Sequence, residues 1–153
     1  MRGLELKVPP PLVALIVAAA MWELARHSVH LALANALRRG LAGTLFALSI
    51  AWSLSAVLAF RRWKTTINPV NPEAATALVI TGPFRLSRNP MYLGLSMALL
   101  GWAVLLTAPW NLFGPAVFVA YMQRFQILPE ERVLAAKFGA EFERNRGTVR
   151  RWL

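Results

Sequence analysis

The chain has 153 residues, of which 57% are hydrophobic and 16% charged, and its formal net charge is +10. This length suits a single domain, but so large a hydrophobic share is typical of a membrane protein rather than a soluble one. The sequence has no cysteine, which excludes disulfides, thiolate catalysis and cysteine metal sites, and with two histidines and no aspartate we expect no metal centre.

The first apolar segment, 12–33, follows three consecutive prolines and is expected to form a membrane helix. A signal peptide is the alternative, because Arg2 and Lys7 precede the apolar run. We favour the helix, because Trp22 and Glu23 directly follow the run and the rest of the chain is itself apolar.

Glu23 lies within this predicted span, and an ionisable residue in a span is a functional candidate by default. Arg26 and His27 follow it at spacings of three and four residues, where side chains of one helix meet. We therefore favour local pairing of Glu23 over a functional role.

Three further spans are predicted. Segment 41–60 is uncharged and has the length of about 20 residues that crosses a bilayer as a helix. The uncharged stretch 89–123 is too long for one crossing, and a turn around Pro109 interrupts it. We therefore expect a hairpin of two spans, 91–107 and 111–125.

The basic residues predict the orientation of this four-helix arrangement. Four spans place both termini, the central loop 61–90 and the tail 126–153 on one side, with most of the lysines and arginines. By the positive-inside rule that side, with both termini, is cytoplasmic. Such a surface attracts anionic lipid headgroups, so membrane lipids are the expected partners and no nucleic acid is needed to explain the charge. The oligomeric state is left open.

Two polar elements face this compartment. The central loop contains turn-forming Asn-Pro pairs, an apolar run at 78–81 that is compatible with an extended segment, and Gly82-Pro83. In the tail, Pro129 suits the first turn of a helix that Gly139 would end or bend, and a further short helix is expected at 141–146.

The two elements are each joined to one arm of the predicted hairpin, so they should meet in space. Basic residues of the loop commonly anchor to headgroups, and Glu130 and Glu131 in a first helical turn commonly complement the helix dipole. Their combination favours a pocket, because guanidinium groups bind a carboxylate and carboxylates bind an ammonium group or ribose hydroxyls.

Segment 82–94, which reads Gly-Pro-Phe-Arg-Leu-Ser-Arg-Asn-Pro-Met-Tyr-Leu-Gly, resembles the signature of the isoprenylcysteine carboxyl methyltransferases and their phospholipid methyltransferase relatives. In the tail, Glu130-Glu131-x-x-Leu134-x-x-x-Phe138-Gly139 and the ending Val-Arg-Arg-Trp at 149–152 are also similar to that family. The resemblance covers 65–152 and implies an all-α, polytopic membrane bundle in one domain, 1–153. Its loop and helical tail would form a pocket for S-adenosylmethionine, which leaves as S-adenosylhomocysteine.

The resemblance also implies which residues form the cofactor pocket: Gly82, Pro83, Arg88, Asn89, Pro90, Tyr92, Gly94, Glu130 and Glu131. This chain departs from the family at Asn89, where many relatives have histidine, and at Phe142 and Asn145, where the tail commonly has tyrosines. These departures leave the methyl acceptor unnamed.

Methyl transfer from a sulfonium requires alignment of donor and acceptor and exclusion of water. We expect the cofactor to arrive from the cytoplasm and an amphiphilic acceptor to arrive sideways from the bilayer. For a carboxylate acceptor, Arg85 or Arg144 is the candidate for orienting it. For an amine acceptor, Glu131 is the candidate general base.

Two other classes of function remain open. A small membrane reductase acting on lipids or steroids would bind a reduced nicotinamide, for which no phosphate-cradling glycine loop is present. A non-enzymatic scaffold or transporter subunit would tolerate substitution at Arg88, Tyr92 and Glu131, and would carry charge within its spans.

Overall fold

The computed structural model describes residues 5–66, 68 and 70–153. Arg2 and Pro69, which contribute to the predicted topology and loop turns, lie outside the described residues. Within them the chain is helical and forms no strand, which confirms the all-α prediction, and 78–81 is irregular rather than a strand. The α-helices are α1 Pro10–Arg26, α2 Asn35–Arg62, α3 Pro90–Leu106, α4 Phe113–Tyr121, α5 Leu128–Phe138 and α6 Ala140–Thr148.

Helix α1 is shorter than the predicted span 12–33, because it ends at Arg26. The connection that follows folds back onto the end of α3, where the Leu31 N–H donates to the Thr107 carbonyl at 2.9 Å. Glu23 lies 3.1 Å from Arg26 and 3.2 Å from His27, which is the local pairing that the spacing indicated.

Helices α2 and α3 pack closely along their lengths. A Cβ at Gly94 would collide with the Ser53 Oγ and press on the Ser49 carbonyl, so glycine allows the two helices to approach this closely. The Ser49 Oγ donates to the Gly94 carbonyl at 2.7 Å and joins the two helices at the same level. The site's α3 residues are therefore held at a fixed position against α2.

Helix α2, with 28 residues, is the one described helix that is long and apolar enough to cross a membrane by length and composition. Helix α3 is apolar but shorter, at 17 residues. The arrangement of four spans therefore stays a prediction.

Helices α4 and α5 are joined by a π-helical segment, Met122–Ile127, without a break in the chain's helical course. Its buried side chains Met122 and Ile127 join Phe118 of α4 and Tyr92 of α3 in the main apolar core. Wider π turns redirect the residues that follow them and are frequent at functional sites. Here the residues that follow are the first turn of α5, which carries both glutamates of the predicted pocket.

The central loop and the tail complete the fold at the same end of the bundle. Gly82 has φ +62°, a left-handed conformation that favours glycine, and starts a 3₁₀ turn, Gly82–Arg85. That turn buries Phe84 edge-on against Phe60 of α2, with ring centroids 5.1 Å apart. Gly139 ends α5, as its position indicated, and α6 runs beyond both ends of the predicted 141–146.

Candidate active site

A cavity of about 370 Å³ lies between the central loop, the first turn of α5 and the adjoining ends of α1, α2 and α3. Its volume falls in the range of small-molecule sites. One end is polar and is lined by Arg88, Glu130, Glu131 and Asn145. The other is apolar apart from one serine and includes the lining residues Pro10, Pro11, Ser53, Phe60, Phe84, Met91, Leu95 and Ile127. The cavity is thus amphiphilic.

Glu131 is bound by two arginines. One oxygen accepts from the Arg88 Nη2 at 2.7 Å and from the Arg151 Nε at 2.9 Å, and the other accepts from the Arg151 Nη2 at 2.7 Å. Burial alone would raise the pKa of Glu131, but the hydrogen bonds and charges of Arg151 and Arg88 outweigh it, and the pKa is lowered overall. Glu131 is therefore an ionised carboxylate at neutral pH.

The loop residues Arg88 and Asn89 hold the C-terminal segment by its backbone. The Arg88 Nη1 donates to the Val149 carbonyl at 2.8 Å and to the Arg146 carbonyl at 3.1 Å. The Asn89 Nδ2 donates to the Arg151 carbonyl at 2.9 Å. The guanidinium of Arg88 therefore holds the tail beside the cavity. Asn89 adds a hydrogen bond that does not require a titratable ring.

Glu130 has a different environment, although it is adjacent to Glu131 in sequence. It lines the cavity, and its carboxylate accepts a hydrogen bond from the Tyr92 hydroxyl at 2.9 Å. Burial raises the pKa of Glu130 to about 7, the negative charge of Glu131 adds to the rise, and the Tyr92 hydrogen bond opposes it. Glu130 can thus gain and lose a proton near neutral pH, whereas Glu131 cannot.

The structure brings together six of the residues predicted for the site, since Arg88, Asn89, Pro90, Tyr92, Glu130 and Glu131 all line the cavity. The remaining predicted residues, Gly82, Pro83, Gly94, Arg85 and Arg144, do not line it.

Each of the residues outside the lining has a visible position elsewhere, and Pro83 lies in the 3₁₀ turn Gly82–Arg85. Gly82 is exposed, and Gly94 is buried against α2, so that its role here is close helix packing. Arg85 and Arg144 are exposed on the surface, away from the cavity walls. Their predicted role of orienting a carboxylate would require a rearrangement of both side chains.

Sequence reasoning assigned no role to several residues of the site. Arg151 lies within the ending that resembles the family, but its pairing with Glu131 depends on the return of the tail to α5. Ser53 and Phe60 belong to an apolar helix with no motif, and Pro10 and Pro11 start another. No sequence signal distinguishes these positions from ordinary lipid-facing residues.

Comparison with known proteins points to one family. The family model described as phospholipid methyltransferase matches residues 37–141, which is more than half of the chain and includes most of the cavity lining. A protein of Haemophilus influenzae, described only as an uncharacterized protein, is 41% identical over 63 residues, which is 41% of this chain and 100% of that protein. No solved structure matches the chain.

Proposed function

This chain belongs to the phospholipid methyltransferase family, and we propose that it is an integral membrane enzyme that transfers a methyl group from S-adenosylmethionine to a lipid-like acceptor. Family membership makes it a methyltransferase. The observation that carries the rest of the proposal is the amphiphilic cavity, whose polar end is acidic and whose other end is formed by apolar helix ends.

The polar end has donors and acceptors that fit S-adenosylmethionine. Glu130 offers a carboxylate for a cationic group, and the side-chain amides of Asn68 and Asn145 offer both donors and acceptors for hydroxyls or a ring. The bound cofactor would supply a methyl group on a positively charged sulfur. The residues of the chain would orient it and exclude water, and the bond from Arg88 to the Val149 carbonyl holds the C-terminal segment near this end.

The apolar end suits the hydrocarbon part of an acceptor. Helices α1 and α2 each pack on α3, and the cavity is walled by Pro10 and Pro11 at the start of α1 and by Ser53 and Phe60 on α2. Ser53 lies nine residues before the end of α2, which is about 13 Å along the helix axis. The cavity therefore extends along the apolar part of α2, which supports access of the acceptor from the bilayer.

The charges at the polar end favour an amine acceptor over a carboxylate. Among the described lining residues Arg88 is the one cation; its two Nη atoms are bonded to Glu131 and two backbone carbonyls, whereas its Nε is buried without a partner. A carboxylate acceptor would lie beside Glu130 and Glu131, and the Arg88 Nε is the one unpaired cationic donor among the described lining residues, so the charges weigh against O-methylation of the isoprenylcysteine kind. An ammonium group would form an ion pair with the Glu130 carboxylate, which lines the cavity.

Membrane insertion of all four predicted spans, with both termini in the cytoplasm, is part of the proposal. It is supported by the long apolar helix α2, by the apolar helix α3 and by the basic residues of the central loop and the tail. With this orientation the polar end of the cavity faces the cytoplasm, where S-adenosylmethionine is available.

The test is a calorimetric titration of S-adenosylhomocysteine into the detergent-purified protein, with a reduced nicotinamide titrated in parallel. We expect saturable binding of S-adenosylhomocysteine and none of the nicotinamide. Binding of the nicotinamide alone would support a reductase instead. Absence of binding by either compound would support the scaffold or transporter alternative and refute the methyltransferase proposal.

A further inference from the structure

The segment before α1, residues 5–9, lies along α5 and leads directly into the wall of the cavity. We call it the N-terminal strap, and it lies outside the family match, which begins at residue 37. We propose that Glu5 is a positioning residue that fastens the strap to α5 and so controls entry of the acceptor from the bilayer, between α1 and α2, into the apolar end of the cavity. The inference rests on the proposed function and adds to it the entrance and the residue that controls it.

Glu5 is bound by two arginines. One carboxylate oxygen accepts a hydrogen bond from the Arg124 Nη1 at 2.9 Å, and the other accepts one from the Arg132 Nη2. Arg124 lies in the π-helical segment and Arg132 on α5, and their side chains are 45% and 61% exposed. Water reaches both arginines, so these two ion pairs, the latch, can open at a small cost in free energy.

The strap connects the latch rigidly to the start of α1. The Leu6 N–H donates to the Phe125 carbonyl at 3.0 Å, and Val8 packs against the main apolar core. The three prolines 9–11 follow, and because the proline ring fixes φ, this connection has few ways to bend. Release of Glu5 should therefore displace the start of α1 as well as the strap.

The start of α1 forms the wall between the cavity and its surroundings. Pro10 and Pro11 both line the cavity, but Pro10 is fully buried whereas Pro11 is exposed. Ser53 and Phe60 of α2 line the same apolar end. Helices α1 and α2 each pack on α3, whereas the contact between α1 and α2 themselves is slight. A displacement of the start of α1 therefore widens the space between these two helices, where a hydrocarbon chain would enter.

The latch lies on a different face of α5 from the glutamates of the cavity. Glu130 and Glu131 line the main cavity, whereas Arg132 lines a second, open cavity together with Glu5 and Leu6. The latch can therefore open without breaking a contact at the polar end. We expect it to control entry of the acceptor and to leave binding of the cofactor unchanged.

The test measures access to the cavity with an introduced thiol, since the chain has no cysteine of its own. Leu95→Cys places a thiol in the apolar end of the cavity, and Leu100→Cys places one on the exposed face of the same helix as the matched control. The full chain in phosphatidylcholine vesicles is labelled with N-dodecylmaleimide, which partitions into the bilayer. A water-soluble sulfonated maleimide is used in parallel.

In the Leu95→Cys chain, we expect Glu5→Gln to raise the rate of labelling by N-dodecylmaleimide about fivefold to tenfold, since two partly exposed ion pairs are lost. Arg132→Gln should raise it less, because Arg124 still holds Glu5. Salt at about 1 M should raise the rate with Glu5 present and leave the rate of Glu5→Gln unchanged, because salt screens partly exposed charges. The rate at Leu100→Cys and the affinity for S-adenosylhomocysteine should not change.

Three outcomes would overturn the inference. The first is an equal rate at Leu95→Cys with and without Glu5→Gln, including no labelling in either chain. The second is an equal acceleration at Leu100→Cys, which would mean that Glu5→Gln loosens the whole bundle. The third is acceleration with the sulfonated maleimide alone, which would place the entrance on the aqueous side. Failure of S-adenosylhomocysteine to bind the wild type would refute the proposed function whatever the labelling rates are, so the two failures are distinguishable.

Discussion

Glu131 is predicted to stabilise the tail rather than to touch the ligand, and Glu131→Gln measures this. The side chains of Arg88 and Glu131 are 10% and 14% exposed, so removing the negative charge leaves a nearly buried guanidinium without its counter-ion. Breaking a buried pair from one side costs about 3–5 kcal/mol. The pair with Arg151 adds less, because that arginine is 28% exposed. Glutamine keeps one acceptor oxygen, so we expect a loss of about 3 kcal/mol.

For a chain of this length that loss lowers the midpoint of thermal unfolding by roughly 6–12 °C. Tryptophan fluorescence during heating in detergent, at pH 7.5, provides the measurement. Glu143→Gln is the matched control, since its partner and its own side chain are both about half exposed and such pairs contribute at most about 1 kcal/mol. An unchanged midpoint in Glu131→Gln, together with lost binding of S-adenosylhomocysteine, would refute the reasoning and make Glu131 a direct ligand contact.

Three other predictions concern separate features. Gly94→Ala should lower the unfolding midpoint because its Cβ would meet the Ser53 Oγ, and Ser53→Ala in the same chain should restore part of the loss. Glu130→Gln should unfold at a higher temperature than the wild type at pH 8, where an ionised Glu130 is desolvated, and the difference should vanish as the pH falls below about 4.5, where both states of the wild type are protonated. Leu95→Trp, which fills the apolar end of the cavity, should reduce methyl transfer more than tenfold and leave S-adenosylhomocysteine binding nearly unchanged, whereas Leu100→Trp on the exposed face of the same helix should change neither.

The helices and the meeting of loop and tail could be predicted from the sequence, because both depend on local signals. The sequence itself shows the lengths of the apolar segments, the turn at Pro109 and the turn residues Gly82 and Gly139. The end of α1 at Arg26 was not, because the segment after it is apolar enough to continue a helix. After α1 ends, the chain forms a tertiary contact instead, in which the Leu31 N–H donates to the carbonyl of Thr107 just after α3.

The site was predictable as a group of residues but not as a division of roles. Sequence reasoning chose Glu131 as the candidate base for an amine acceptor because it is a nearby residue of a suitable type, and it put both glutamates in one pocket. Their difference comes from the return of residues 149–152, which carries Arg151 onto Glu131 and leaves Glu130 facing Tyr92. No local sequence pattern predicts that the tail folds back onto α5, since this depends on which backbone carbonyls of the tail accept hydrogen bonds from Arg88.

This division of roles implies that acid affects activity and folding in two separate steps. The pKa of Glu130 is raised to about 7, so the negative charge that it offers in the cavity should be lost below that pH while the tail stays in place. The pKa of Glu131 is lowered from 4.5, so the stability it contributes is fully present above pH 4.5 and is lost only as the pH falls through its lower folded value. Between about pH 4.5 and 6 the enzyme should be inactive but folded, and it should recover its full rate when returned to pH 8. Loss of tail protection in hydrogen exchange at pH 6, parallel to the loss of rate, would mean that one titration controls both and that the two glutamates are not independent.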